Sequence, residues 1–409
     1  MSAVRTEEDA LGEVEIPDTA LWGIQTARAV ANLSFSGRTL GSCPAYVRAL
    51  GLVKRAAARA NRDAGVLTAP LAEAIETATG PLIAAALPDQ FPVDLLGGGG
   101  SIGVNMNVNE VIANLANERL GEQRGGYVPV HPLAHVNASQ STADVCHTAL
   151  RLAILERAAL LDGALRATEL TLADQATAFA TIPTLARTCL RDALPTTVDV
   201  LFGGHAALLA RRAAAVRQAL MPLSAISLGG TVIGTGDGAP AAYRAAVVPL
   251  LAEVCERVLT ARADGPDALQ NSDDIAALSA QLALLAQAVL KIAQDLRLLA
   301  SGPQGGFGEL VLLNVQAGSS IFSGKVNPVV PETVIQCAFQ VFGCDRAVQA
   351  AVEHAELHVN VFDGLAAANV LGAIDMLAGA LGRFEAQCLR GLAVDEARCR
   401  ALAAFGQLL

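Results

Sequence analysis

Residues 318–328 read Gly318-Ser319-Ser320-Ile321-Phe322-Ser323-Gly324-Lys325-Val326-Asn327-Pro328. Taken alone, a Gly/Ser stretch between helical runs is a solvated loop. The Lys-Val-Asn-Pro that follows, ahead of Pro331 and a helical run, makes it more specific. The four-glycine run Gly97–Gly100 is either a surface loop or a loop that lets backbone approach a ligand, and it is no P-loop, because no Lys-Ser/Thr pair follows it.

The flanks of this loop are helical. From Asp274 to Ala300, Ile275, Leu278, Leu282, Leu285, Val289, Ile292, Leu296 and Leu299 are spaced 3, 4, 3, 4, 3, 4, 3. That is an a/d seam with left-handed bundle geometry. Ser272, Asp273 and Asp274 suit its N-terminus. Small Ala residues fill the other faces, so the helix is buried nearly all round, in a bundle larger than one subunit. Similar patterns predict helices at 141–168, 193–218, 239–261, 331–355 and 363–390, with shorter ones at Ala45–Ala64 and Asn107–Leu120.

Composition narrows the function. With 29 Lys and Arg against 39 Asp and Glu, the charge is −10, and there is no basic stripe for a nucleic acid. Aromatics are 4%, too sparse for stacking platforms. Hydrophobic residues are 53%, so the chain folds. The longest uncharged stretch, Gln218–Gly236, is broken by Pro222 and four glycines, which argues against a membrane span. No secretory signal is visible, and eight single cysteines without CxxC fit a reduced cytoplasm and no zinc site. His354 and His358 lie four apart on a helical pattern, but no partner motif makes them a metal pair.

The loop resembles the signature of the aspartase/fumarase superfamily, usually G-S-S-x-M-P-x-K-x-N-P. Further motifs agree in order along the chain: Leu21-Trp22-Gly23-Ile24-Gln25-Thr26-Ala27-Arg28, Asn105-Met106-Asn107-Val108-Asn109-Glu110, His135-Val136-Asn137-Ala138-Ser139-Gln140-Ser141, Arg187-Thr188 and Leu228-Gly229-Gly230-Thr231. The resemblance implies a mainly α, three-domain subunit with a long central helical bundle. The boundaries expected are 1–135, 136–390 and 391–409, the last a remnant of a truncated C-terminal domain. It also implies a homotetramer whose active sites each draw on three subunits. The reaction implied is anti β-elimination from a substituted succinate to fumarate, with no organic cofactor and no metal.

The chemistry asks for a base and a dicarboxylate clamp. Removing a proton beside a carboxylate builds a second negative charge there, which preorganised donors must stabilise. By resemblance, Ser319 is the base. Its hydroxyl needs backbone donors and nearby cations to act as one. Gly318 and Gly324 allow the loop to close and exclude water. Ser141 and Thr142 precede a helical run, and Ser141-x-x-Asp144 fits a capping box, so a helix N-terminus faces a carboxylate. Thr188, Asn327 and Asn105 add hydrogen bonds, and Lys325 adds charge.

The departures from the family fall where the leaving group sits. The family's Thr, Asn and His partners of a substrate amino group are replaced by Ile102, Ala143 and Cys189, and Gly103 adds room. An ammonium buried against these would be left unpaired, at a cost. A leaving group that departs as a stable anion, such as nitrite from nitrosuccinate, needs no proton. Arg191 would attract such an anion, or forms a salt bridge to Asp192 or to a subunit neighbour. Cys189 reads as a small buried hydrophobe. The alternatives are ammonia or water elimination with the polar groups supplied elsewhere, a bulkier amine, or a silent tetramer. Two further departures are His131-Pro132-Leu133-Ala134-His135, which lacks the usual Asn-Asp pair, and Phe322-Ser323, where the signature has Met-Pro.

Overall fold

The computed structural model describes residues 3–406. It opens on an antiparallel hairpin, β1 (Val4–Asp9) and β2 (Gly12–Pro17), turning at Gly12. Next come α1 (Ile24–Leu33), α2 (Pro44–Asp63), α3 (Ala69–Ala78), the single turn α4 (Gly80–Ile83) and α5 (Ile102–Arg119). Pro44 starts α2, where a missing N–H costs nothing. Its stripe of Val47, Leu50, Val53, Ala57 and Ala60 is buried. The start of α1 is held by Glu110 of α5. Its carboxylate accepts from the N–H of Gly23 (2.9 Å), Gln25 (2.8 Å) and Thr26 (3.1 Å) and from the Thr26 hydroxyl (2.6 Å). Glycine at 23 leaves room for the Tyr127 hydroxyl: a Cβ there would stand 1.8 Å from that oxygen and would push the ring aside.

The long helix α6 (Thr142–Ala178) follows, then the hairpin β3 (Pro183–Thr188) and β4 (Arg191–Thr197), then α7 (Val198–Leu220). The chain continues through β5 (Ala225–Ile226), α8 (Ala241–Val254), β6 (Thr260–Ala261), α9 (Gly265–Gln270) and α10 (Asp273–Leu299). It ends with β7 (Leu310–Val311), α11 (Val329–Glu353), α12 (Asp363–Phe384), β8 (Ala393–Val394) and α13 (Glu396–Gly406). In α10, every seam residue from Ile275 to Leu296 is buried and Leu299 is half-buried, as the 3-4 spacing predicts.

The helix predicted at 193–218 begins five residues late. Pro195 cannot donate within a helix, and β-branched Thr196 and Thr197 favour the strand that pairs with β3. The helix predicted at 239–261 stops at Val254, where Glu256 turns to φ +52°. Two helical stretches, Asp273–Leu299 and Asp363–Leu389, reach the length and apolarity of a membrane span, which a reading of uncharged stretches passes over. Their most apolar windows are 50% and 61% buried inside the protein, as in core helices.

Contacts divide the chain into two compact units. The first holds the residues up to Arg157, Leu220–Ala277 and Ala347–Gly372; the second holds Ala158–Ala219, Leu278–Arg346 and the residues from Ala373 onward. The sequence-based division into 1–135, 136–390 and 391–409 stays a proposal, and its residues 1–2 and 407–409 lie outside the described ones.

Candidate active site

Three local structures carry the residues singled out by sequence, one in the first unit and two in the second.

The first is the start of α6. The Ser141 hydroxyl accepts from the Ala143 N–H (3.2 Å), and the Asp144 carboxylate accepts from the Ser141 N–H (2.9 Å), which is the capping box read from the sequence. The other Asp144 oxygen accepts from the N–H groups of Gly229 (3.1 Å) and Thr231 (3.0 Å), tying the Leu228–Thr231 loop to the helix. Burial pushes the Asp144 carboxyl up to about 6, against the pull of these three N–H groups and of Lys54. Asn105 donates to the Thr142 hydroxyl (3.0 Å) and to Asn137 Oδ1 (3.0 Å). Both hydrogens of its amide are thus engaged in setting the helix start. Ala143 is half-buried beside them. Ile102 and Gly103 form the first turn of α5, and Ile102 is 46% exposed. An added Cβ at Gly103 would meet Ala29 Cβ at 3.5 Å.

The second is the tip of the β3–β4 hairpin. Thr188 pairs with Arg191, and Cys189 and Leu190 make a two-residue turn with φ +53° and +59°. Cys189 is exposed at this turn on the single subunit, where the sequence reading expects a small buried hydrophobe: a turn residue has no core of its own subunit to fill. Arg191 is exposed and makes no ion pair with Asp192 among the described residues. Its neighbour Arg187 anchors the hairpin instead. Its guanidinium pairs with Glu309 (2.6 Å) and lies 4.4 Å from the centre of the Phe307 ring. The Thr184 hydroxyl donates to the same carboxylate (2.6 Å).

The third is the loop 318–328. The Ser319 hydroxyl accepts from two backbone donors, Ile321 N–H (3.2 Å) and Phe322 N–H (2.8 Å). The loop is closed by Gly318 N–H donating to Lys325 O (3.0 Å) and by the Asn327 amide donating to Gly318 O (2.6 Å). Asn327 therefore braces the loop. Lys325 is exposed. A cleft of about 760 Å³ borders the second half of the loop, with Lys325, Asn327, Arg297 and Glu332 in its wall. Glu332 pairs there with Arg297 (3.1 Å).

His354 and His358 do not share a helix face, because α11 ends at Glu353. Among the described residues, no three His, Cys, Asp or Glu side chains come together as metal ligands. The sequence reading missed Lys54 of α2, whose ammonium is fully buried and donates to Asn137 Oδ1 (2.9 Å) and Gln140 Oε1 (3.1 Å). The signal was there: Leu50, Lys54, Ala57 and Asn61 follow a buried helical stripe, so a lysine falls on a core face.

The comparisons with known proteins agree with one another. A sequence model of a lyase family matches residues 12–343. An aspartate ammonia-lyase of Pseudomonas fluorescens is 40% identical over 403 residues, which cover 98% of this chain and 84% of that protein. A class II fumarate hydratase of Pseudomonas aeruginosa is 38% identical over 413 residues, covering 99% and 87%. Among solved structures, a fumarate lyase:delta crystallin of Brucella melitensis, bound to cobalt, superposes with a TM-score of 0.95 at 41% identity, covering 98% and 87%. A class II fumarase of Schistosoma mansoni superposes at 0.94 with 27% identity and the same coverage. With the helical bundle, the capping box at Ser141 and the closed Ser319 loop in place, the chain belongs to the aspartase/fumarase superfamily and is a lyase.

Proposed function

We propose that the chain eliminates ammonia or water from a four-carbon dicarboxylate to give fumarate, with Ser319 as the base. The observation that carries this is the pair of main-chain N–H groups on the Ser319 hydroxyl. Such donors stabilise an alkoxide and aim its free lone pair, as a serine base requires. Ser141 and Thr142 at the start of α6 bind one carboxylate, while Thr188, Lys325 and Asn327 serve the other and the charge that builds during proton removal. The relatives named aspartate ammonia-lyase and fumarate hydratase support the leaving group. The active unit is a homotetramer with sites composed from three subunits, acting in the cytoplasm.

A second reading rests on Ile102, Ala143 and Cys189. None of them offers an ammonium the acceptors it needs. Elimination of an anion, nitrite from nitrosuccinate, removes that requirement.

The test is fumarate absorbance with L-aspartate, L-malate and nitrosuccinate at equal concentration, with Ser319→Ala as the control. Fumarate from aspartate or malate, lost in the variant, supports the first reading. Fumarate and nitrite from nitrosuccinate alone supports the second. No fumarate from any of the three overturns both.

A further inference from the structure

We propose that Lys54 is a positioning residue: from the buried face of α2 it fixes the turn 137–140 and, through Asn137 and Asn105, sets Thr142 at the start of α6 for carboxylate binding. This rests on the reading of that helix start as a dicarboxylate site.

The chain of contacts is continuous and lies within the first unit. Lys54 Nζ donates to Asn137 Oδ1 and Gln140 Oε1. Asn137 Oδ1 also accepts from Asn105 (3.0 Å) and Asn109 (3.2 Å), and Asn105 donates on to the Thr142 hydroxyl. Gln140 turns back onto the carbonyls of Val136 and Ala138 (3.0 Å each), and Asn137 donates to the Gln140 carbonyl (3.1 Å). One turn further along α2 from Ala57, Asn61 holds the same segment, donating to Ala138 O (2.9 Å) and accepting from the Ser139 hydroxyl (2.6 Å). Ser139 sits at φ +60°, a strained conformation that needs such support.

Stability does not call for this arrangement. A buried ammonium is expensive, and an apolar residue of like volume would serve a core better. Burial lowers the Lys54 ammonium to about 7, with Cys146 and Asp144 of α6 drawing it back up. What Lys54 supplies is geometry: a donor with two acceptors, both on the turn that ends at Ser141. The side chain touches no reacting atom and acts only through Asn137 and Gln140.

The test uses the full chain and succinate, an unreactive dicarboxylate, as the probe. Binding is measured by calorimetry, and backbone hydrogen exchange is followed across 137–147. In Lys54→Met, exchange in 137–142 should quicken and succinate should bind about tenfold more weakly, the scale of one charge-assisted hydrogen bond. Lys54→Arg, which keeps charge and donors, should restore part of the affinity. If Lys54→Met does not fold, Asn105→Leu cuts the same chain. It loses only the two side-chain bonds to Asn137 and Thr142, because Asn105 Oδ1 has no partner among the described residues. Unchanged exchange in the variant overturns the proposal whatever the substrate is. Faster exchange with unchanged succinate affinity overturns the link to carboxylate binding. A wild-type chain that does not bind succinate, yet shows the faster exchange on Lys54→Met, fails the site reading and takes the functional half of the proposal with it.

Discussion

Gly318→Ala should separate loop closure from folding. An added Cβ at 318 would stand 2.5 Å from Asn327 N and 3.1 Å from Lys325 O, both backbone atoms that cannot swing aside. The loop must open to admit it. Opening breaks the Gly318 N–H to Lys325 O bond and the Asn327 amide bond to Gly318 O. At about 0.5–1.5 kcal/mol each, the closed form loses about 1–3 kcal/mol. The closed-to-open equilibrium constant then falls about 5- to 150-fold. On the proposal that Ser319 acts from the closed loop, kcat for fumarate formation falls with the closed fraction, by at least about twofold and at most by that factor. The urea midpoint should hardly move, because most of residues 319–326 are exposed and the core is untouched. Gly324→Ala is the control. It has open space around the new Cβ but sits at φ +83°, so it meets only the left-handed penalty of about 1 kcal/mol. A Gly318→Ala enzyme within twofold of wild-type kcat refutes the reasoning. So does a larger loss in Gly324→Ala than in Gly318→Ala.

Two further predictions concern buried charge. Asp274→Asn leaves Arg151 without its counter-charge: the buried guanidinium now forks onto Asp274 at 3.0 and 2.9 Å. The expected loss is about 3–5 kcal/mol in urea unfolding, and a loss below about 1 kcal/mol would show that the pair is solvated. Lys54 should leave a mark on the pH dependence of stability. Its folded-state value lies near 7, below the 10.5 of the unfolded chain, so unfolding takes up a proton between those values. Stability from this group is therefore least below pH 7 and rises with pH above it, by up to about 1.4 kcal/mol per unit. Urea titrations at pH 7.5 and 8.5 should show that rise in wild type and a flatter one in Lys54→Met. Equal slopes would mean that Lys54 does not titrate in that window.

The long helices were legible because each repeats an apolar pattern over many turns. The seam of α10 is the clearest case, buried from Ile275 to Leu296. The capping box at Ser141 and Asp144 was legible because its partners are three residues apart. The β3–β4 hairpin was not. A two-residue turn with both residues at positive φ normally carries Asn-Gly or Asp-Gly, and here it carries Cys189 and Leu190. With no turn signal, the alanine-rich run behind it reads as one helix. Glu110 and Lys54 were hidden for another reason. Each acts on residues 83 to 87 positions away, a pairing that only the folded chain displays.

Polar residues inside a core raise the question of what they are for. One group of them gathers around a single feature. Lys54, Asn105, Asn109 and Asp144 are all buried, and each is hydrogen-bonded to Asn137, Thr142 or the Ser141 N–H, or to the turn between them. A helix of 37 residues does not need this apparatus to begin, since a capping serine and an acidic residue suffice. The excess lies at the point where a carboxylate would meet the helix dipole and free N–H groups. The hairpin tip repeats the argument: Cys189 and Leu190 hold a backbone conformation disfavoured for side chains, exposed, beside Thr188. A scaffold without chemistry could shed both costs by ordinary substitutions. Their concentration at residues independently singled out by the signature motifs is the strongest physical reason to read this chain as a working enzyme.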